Sequence, residues 1–85
     1  SFDISISSYE GEKLTNYLTD YDVDLRKIVY EEINKKSVED FEGSQGKKKF
    51  LEDLKNEFNA FLDKKKLDPI VFGIYYKVFA ITTRG

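Results

Sequence analysis

The run from Ile70 to Thr82 constrains this chain more than any other segment. It follows the stop Asp68-Pro69 and is apolar on both alternating faces. On a strand, Ile70, Phe72, Ile74, Tyr76, Val78 and Ala80 point one way and Val71, Tyr75, Phe79 and Ile81 the other. A strand with one face in water shows polar residues on that face. The run therefore predicts a strand covered on both sides, with something besides the chain's own helices doing part of the covering.

The remaining segments supply the partners of that strand. Phe2 to Tyr9 alternates, with Phe2, Ile4 and Ile6 on one face, and predicts a half-buried strand paired with the C-terminal one. Leu14, Tyr17, Leu18 and Tyr21 fall at helical spacing, with Glu10 and Glu12 where a helix N-terminus favours negative charge. Asp22 or Asp24 suits the N-cap of a second helix, whose stripe is Leu25, Ile28, Val29 and Ile33 and whose end is Lys35 and Lys36. Ser37 and Asp40 have capping-box spacing for a short turn carrying Val38 and Phe41. Glu42 to Gly46 reads as a loop. The longest helix is expected from about Lys47 to Lys65, with Phe50, Leu51, Leu54, Phe58, Phe61 and Leu62 on one stripe. Lys64 and Lys65 suit its C-terminus, whereas Lys47, Lys48 and Lys49 at its start oppose the helix dipole. Strand, helices, strand without internal repeat predicts an α+β fold: a small antiparallel-type sheet with helices packed on one face.

At 85 residues the chain makes one domain spanning residues 1–85. It has no cysteine and no histidine, which removes disulfides, thiolate metal sites and the usual general base near neutral pH. No Ser/His/Asp set or glycine-rich phosphate loop occurs, so the reading is of a non-enzymatic protein without cofactor or metal. No segment has the roughly 18 apolar residues of a membrane span. The start at Ser1, inside a strand-like pattern and without methionine, reads as that of a domain cut from a longer protein, with any membrane anchor outside it.

Charge divides unevenly. Residues 1–42 hold eleven acids and five bases, a balance of −6, and residues 43–85 hold five acids and nine bases, a balance of +4, which together recover the net −2. Asp20, Asp22 and Asp24 alternate like a calcium loop but lack its glycine and its bidentate glutamate, so helix capping explains them better. The two lysine triplets, Lys47 to Lys49 and Lys64 to Lys66, lie ~25 Å apart at opposite ends of one helix. With a negative net charge and only Arg26 and Arg84 as arginines, nucleic-acid binding is disfavoured. Tyr9, Tyr17, Tyr21 and Tyr30 read as residues at the rim of the core. Tyr75 and Tyr76 stand back to back, so at most one faces the long helix and the other needs a second cover.

The ordered set Leu25-Arg26, Ile28, then Ile33, Lys36-Ser37, Asp40-Phe41, a glycine loop, then Leu51, Lys55, Phe58-Asn59, Leu62, and finally Ile74-Tyr75-Tyr76, Phe79 and Ile81 resembles the periplasmic domain of the FliL family of flagellar basal body-associated proteins. In that family the terminal strand commonly reads valine, tyrosine, phenylalanine, two residues, phenylalanine, and Thr82 stands where glutamine is frequent. The resemblance implies the periplasmic domain of a single-pass bacterial inner-membrane protein, similar to the stomatin/prohibitin (SPFH) domain. It also implies self-assembly as a ring around the stator proteins MotB and MotA, in support of torque, motility and chemotaxis. The expected contacts, in the ring or with the stator, are the acidic segment Asp20, Tyr21, Asp22 and Asp24, the lysines Lys47, Lys48, Lys49, Lys64 and Lys65, and Tyr75 and Tyr76. A different expectation is a small ligand- or peptide-binding module with Tyr75 or Tyr76 in a pocket beside the strand.

Overall fold

A computed structural model of the chain describes residues 4–76. Phe2 and the stretch from Lys77 onward, with Val78, Phe79, Ala80, Ile81 and Thr82 of the C-terminal run, lie outside the described residues.

The element order is β1 (Ile4–Ser7), α1 (Gly11–Asp20), α2 (Asp22–Asn34), a 3₁₀ turn (Val38–Phe41), α3 (Gly43–Lys64) and β2 (Gly73–Tyr76). β1 and β2 form a two-stranded antiparallel sheet with Ile4 opposite Tyr76 and Ile6 opposite Ile74. Because side chains alternate along a strand, these four share the face turned to the core, and Ser5 and Tyr75 share the other. The chain is thus α+β, with α3 packed on β2, α2 and the 3₁₀ turn packed on α3, and α1 packed on α2.

The apolar stripe of α3 supplies the centre of the core. Phe50, Leu54, Phe58 and Leu62 are all but completely buried, and Leu14, Leu25, Val71 and Ile74 close around them. Burying each side chain of this size stabilises the fold by about 1.5–3 kcal/mol relative to leaving it in water. The expected stripes of α1 and α2 are present, with Tyr17, Leu18, Tyr21, Ile28, Val29 and Ile33 half-buried against this core.

The C-terminal strand begins later than its sequence suggests. Ile70, Val71 and Phe72 precede β2, and Val71 is buried together with Ile74 instead of facing away from it. The cause is Asn59 on α3. Its side-chain amide donates to the Val71 carbonyl and its amide oxygen accepts from the Val71 N–H, both at 2.9 Å. Those backbone groups are satisfied by the helix and not by a ladder, and the alternation starts only after them. Within the described part the chain itself leaves Phe72 55% and Tyr75 52% exposed, so its own helices do not cover these two residues.

Three further features differ from the sequence reading. Neither Asp22 nor Asp24 caps α2: Tyr21 closes α1 and opens α2, with no side-chain cap, and the two aspartates lie in the first helical turn. There they still face the positive end of the helix dipole. The expected loop from Glu42 to Gly46 is helical from Gly43 onward. Gly43 has a φ of 76°, and a Cβ on Gly46 would collide with the Asp40 carbonyl, so these two glycines let α3 start directly against the 3₁₀ turn. The start at Gly43 also moves Lys47, Lys48 and Lys49 out of the first turn, where they would have opposed the dipole. Finally, Tyr9 and Tyr30 are 86% and 64% exposed and do not rim the core, whereas Tyr17 and Tyr21 do.

Two polar devices fasten the turns. The capping box is present: the Asp40 carboxylate accepts from the Ser37 backbone N–H at 2.8 Å. That hydrogen bond holds the Asp40 pKa below its ordinary value. At the end of α3, Lys66 takes a left-handed conformation at φ 62°, its N–H reaching the Asp63 carbonyl and that of Leu67 the Leu62 carbonyl at 2.9 and 2.8 Å. This is a Schellman closure with lysine in the position that favours glycine. Leu67 then folds back on the core.

Three outcomes follow from these contacts. Asn59→Ala leaves the Val71 N–H and carbonyl without their partner and should lower unfolding free energy by about 1–3 kcal/mol in urea titrations. Lys66→Gly should raise it by about 1 kcal/mol, because glycine carries no Cβ penalty in the left-handed region. The third concerns Asp53, whose pKa is lowered chiefly by the hydrogen bond from Lys36, at 2.9 Å. A depressed carboxylate stabilises the fold fully above its ordinary value of 3.8 and loses that contribution as pH falls through the lower folded value. The stability gap between the wild type and Lys36→Met should therefore shrink below pH 3.8. A gap unchanged down to about pH 2 would show that the Asp53 pairing contributes nothing.

Candidate functional site

The expected contact residues fall into two regions of unlike chemistry. Asp20 ends α1, and Asp22 and Asp24 open α2, so the bend between the helices presents three exposed carboxylates. Asp22 is held by Arg26 one turn later at 3.0 Å. Val23, between the aspartates, is 79% exposed. Tyr21 turns inward and packs edge-on against Phe61 of α3, with ring centroids 5.5 Å apart.

That contact joins regions the sequence separates. Lys65 lies over the same Phe61 ring, its Nζ 5.7 Å from the ring centre, and Lys64 is the last residue of α3. The acidic bend and the C-terminal lysines are thus neighbours in one molecule. Lys47, Lys48 and Lys49 stand in the second turn of α3, ~25 Å away along the helix at 1.5 Å per residue. Lys49 approaches Asp53 at 3.4 Å, while Lys47 and Lys48 are exposed.

Lys48 belongs to an aromatic surface. With Leu51, Lys55, Phe72 and Tyr75 it lines a shallow cleft of about 280 Å³ between α3 and β2. Tyr9, from the segment after β1, packs against Phe72 with the rings tilted by 55° and their centroids 4.7 Å apart. Tyr75 lies across Gly73, where a Cβ would come within 2.5 Å of the phenol oxygen. Tyr76 is on the opposite face, half-buried against the core, and loss of solvation there raises its pKa. The adjacent tyrosines therefore divide as alternation requires: Tyr75 is exposed and Tyr76 is turned to the core.

A larger cleft, which the sequence reading missed, lies on the other side of the sheet. About 500 Å³ in volume, it runs between β1 and α2, with Ile4, Ile6, Leu25, Val29, Ile33 and Phe58 among its walls and Asp22, Arg26 and Tyr30 also lining it. Every apolar wall residue had been assigned to a core stripe, so no sequence signal separated those that are covered from those left facing a gap.

A second missed feature is Glu32, the one buried charged residue among the described residues, at 4% exposure. Its carboxylate is paired with Lys35 at 2.8 Å. That hydrogen bond is the main cause of the raised Lys35 pKa. Position 32 lies seven residues after Leu25 and four after Ile28, so the helical spacing did place it on the buried side. Among the described residues no group of three metal-ligating side chains occurs, and no helix is long and apolar enough to cross a membrane.

The described surfaces thus offer docking chemistry: exposed aromatics with lysines at one place, carboxylates with an exposed valine at another, and an open apolar cleft. Comparison with known proteins bears on what docks. No curated protein and no solved structure matches the chain. The family model of the flagellar basal body-associated protein FliL matches residues 1–81, which include every element described above. The chain belongs to the FliL family of flagellar basal body-associated proteins.

Proposed function

We propose that this domain is a non-enzymatic scaffold of the flagellar motor that self-assembles around the stator and supports torque generation and motility. In this reading it is the periplasmic, SPFH-like domain of a single-pass inner-membrane protein, and its partners are further copies of itself and the stator proteins MotB and MotA. Family membership supports a motor-associated role. The observation that carries self-assembly is the pair of unlike surfaces: Lys48 and Lys55 beside Phe72 and Tyr75, with Tyr9 against Phe72, and Asp20, Asp22 and Asp24 around Val23.

Each surface combines exposed apolar area with an excess of one sign of charge, Lys48 and Lys55 against Glu52 at the first and three aspartates against Arg26 at the second, so each fits the other on a neighbouring copy. Two different complementary patches make a head-to-tail contact, and a head-to-tail contact that closes makes a ring. Lys64 and Lys65 already sit beside the acidic bend of their own molecule, which leaves the Lys47 to Lys49 end to meet the bend of the next copy. A second reading, a small ligand- or peptide-binding module, is favoured only by the cleft beside Tyr75. Tyr76 has no part in that cleft, being turned to the core.

Self-assembly is checked with the membrane-attached protein by cross-linking in cells with intact motors and by swimming speed. Asp20→Lys with Asp24→Lys should reduce cross-linked oligomers at least ten-fold and slow swimming. Adding Lys47→Glu and Lys48→Glu should restore both, and raised salt should weaken the purified assembly, since charges beyond about 8–10 Å are screened at physiological ionic strength. Monomers alone in wild-type cells with working motors would sink the proposal.

A further inference from the structure

The start of α2 and the cleft between α3 and β2 are each built as an apolar point among charges. Lys27 follows Val23 by four residues and Asp24 by three, so the three share one side of α2, and Asp20 stands just before them at the end of α1. All four are exposed, Val23 to 79%. None of the side chains of Asp20, Asp24 and Lys27 has a hydrogen bond or ion pair among the described residues. Asp22 belongs to another side of this turn, where Arg26 holds it and both line the cleft beside β1. On α3, Lys48, Leu51, Glu52 and Lys55 recur at i, i+3, i+4 and i+7 and form one wall of the other cleft, with Phe72 and Tyr75 opposite. Glu52 holds Lys55 at 2.8 Å, which leaves Lys48 as the cation of that cleft without a partner among the described residues.

We infer that Val23 of one copy seats in the cleft of the next, between Leu51 and the rings of Phe72 and Tyr75, and is the apolar centre of the head-to-tail contact. This seating rests on the head-to-tail assembly proposed above and names the side chains at its middle. Charge complementarity commits the cleft to this occupant: the unpaired acids beside Val23 meet the unpaired Lys48, and Lys27, the base on the Val23 side, meets Glu52, the acid of the cleft. Exposed ion pairs by themselves contribute little, so they orient the copies, while the buried area comes from the two aromatic rings that Val23 covers. At about 280 Å³ the cleft holds roughly nine times the volume of one water in the liquid, which admits a valine side chain and part of the turn that carries it. Val23 does not line the cleft of its own molecule, so the contact is between copies. Val38, exposed to 74%, is a poorer candidate, because the Asp40 carboxylate beside it is occupied by the capping box.

The test exploits the absence of cysteine from residues 1–85 and uses the membrane-attached protein in cells. Val23→Cys and Glu52→Cys are introduced together, Glu52 being chosen because its side chain is 60% exposed and its loss leaves Lys48 in place. A disulfide needs Cβ atoms within about 4.5 Å, so mild oxidation should give a ladder of linked oligomers. Val38→Cys with Glu52→Cys should give none, and two single variants, Val23→Cys and Glu52→Cys, expressed together should give a linked pair and no ladder. Independently, Val23→Ser should leave the melting temperature unchanged and reduce chemically cross-linked oligomers at least ten-fold, whereas Val38→Ser should change neither. No ladder from the double variant, or undiminished oligomers of Val23→Ser, overturns the seating and leaves head-to-tail assembly standing as long as wild-type oligomers and their charge-swap rescue persist. Linked dimers of Glu52→Cys alone would make the cleft meet its own copy, and linkage of that variant to a different protein would assign the cleft to another partner; either result overturns the seating. Monomers alone in the wild type would overturn the seating and the assembly together.

Discussion

Burial of one face of α3 is the interaction on which the rest of the structure depends. Phe50, Leu54, Phe58 and Leu62 recur at helical spacing along four turns, and β2, α2 and the 3₁₀ turn all rest on this helix. A two-stranded sheet is marginal by itself in water, so β1 and β2 persist because Ile6, Ile74 and Tyr76 lie on that helix face. The 3₁₀ turn is held by the same surface, with the Phe41 ring 5.1 Å from that of Phe50. Removing the stripe would leave no element with a partner large enough to order it.

Where the chain enters and leaves α3, backbone polar groups decide the geometry. Gly46 admits the Asp40 carbonyl at the first turn, the Schellman closure turns the chain at Lys66, and Asn59 catches the returning segment at Val71. Burying Val71 beside Ile74 requires that its N–H and carbonyl be satisfied away from the strand ladder, since an unpaired buried amide costs about 1–3 kcal/mol. The Asn59 clamp meets that requirement and so determines where β2 begins. The start of β2 in turn determines that Phe72 and Tyr75 face outward, beside Lys48, and makes an aromatic and basic surface out of residues whose pattern suggested burial.

The surfaces follow from the same packing. Tyr21 and Phe61 bring the acidic bend onto the C-terminal part of α3, where Lys65 lies over the Phe61 ring. What remains outward is an acidic bend at one place and a basic, aromatic flank at another. Charges so arranged favour oriented association over indiscriminate sticking. The proposed motor scaffold needs that kind of contact.

Much of the fold was legible in the sequence. Helical spacing located α3 and its buried stripe and the stripes of α1 and α2, while alternation paired Ile4 and Ile6 with the terminal strand and set Tyr75 against Tyr76. The residue order from Leu25 to Ile81 also carried the family. Less could be read where local preference and tertiary contact diverge. Glycines at 43 and 46 look like a loop because their local preference is turn-like, but a neighbouring carbonyl required them inside a helix. Asp22 and Asp24 look like caps, yet Tyr21 holds that place because its ring is drawn to Phe61. The exposure of Phe72 and Tyr75 and the vacancy beside β1 belong wholly to the tertiary structure. Periodicity reports which side of an element is apolar, and only the assembled neighbours decide whether that side is covered.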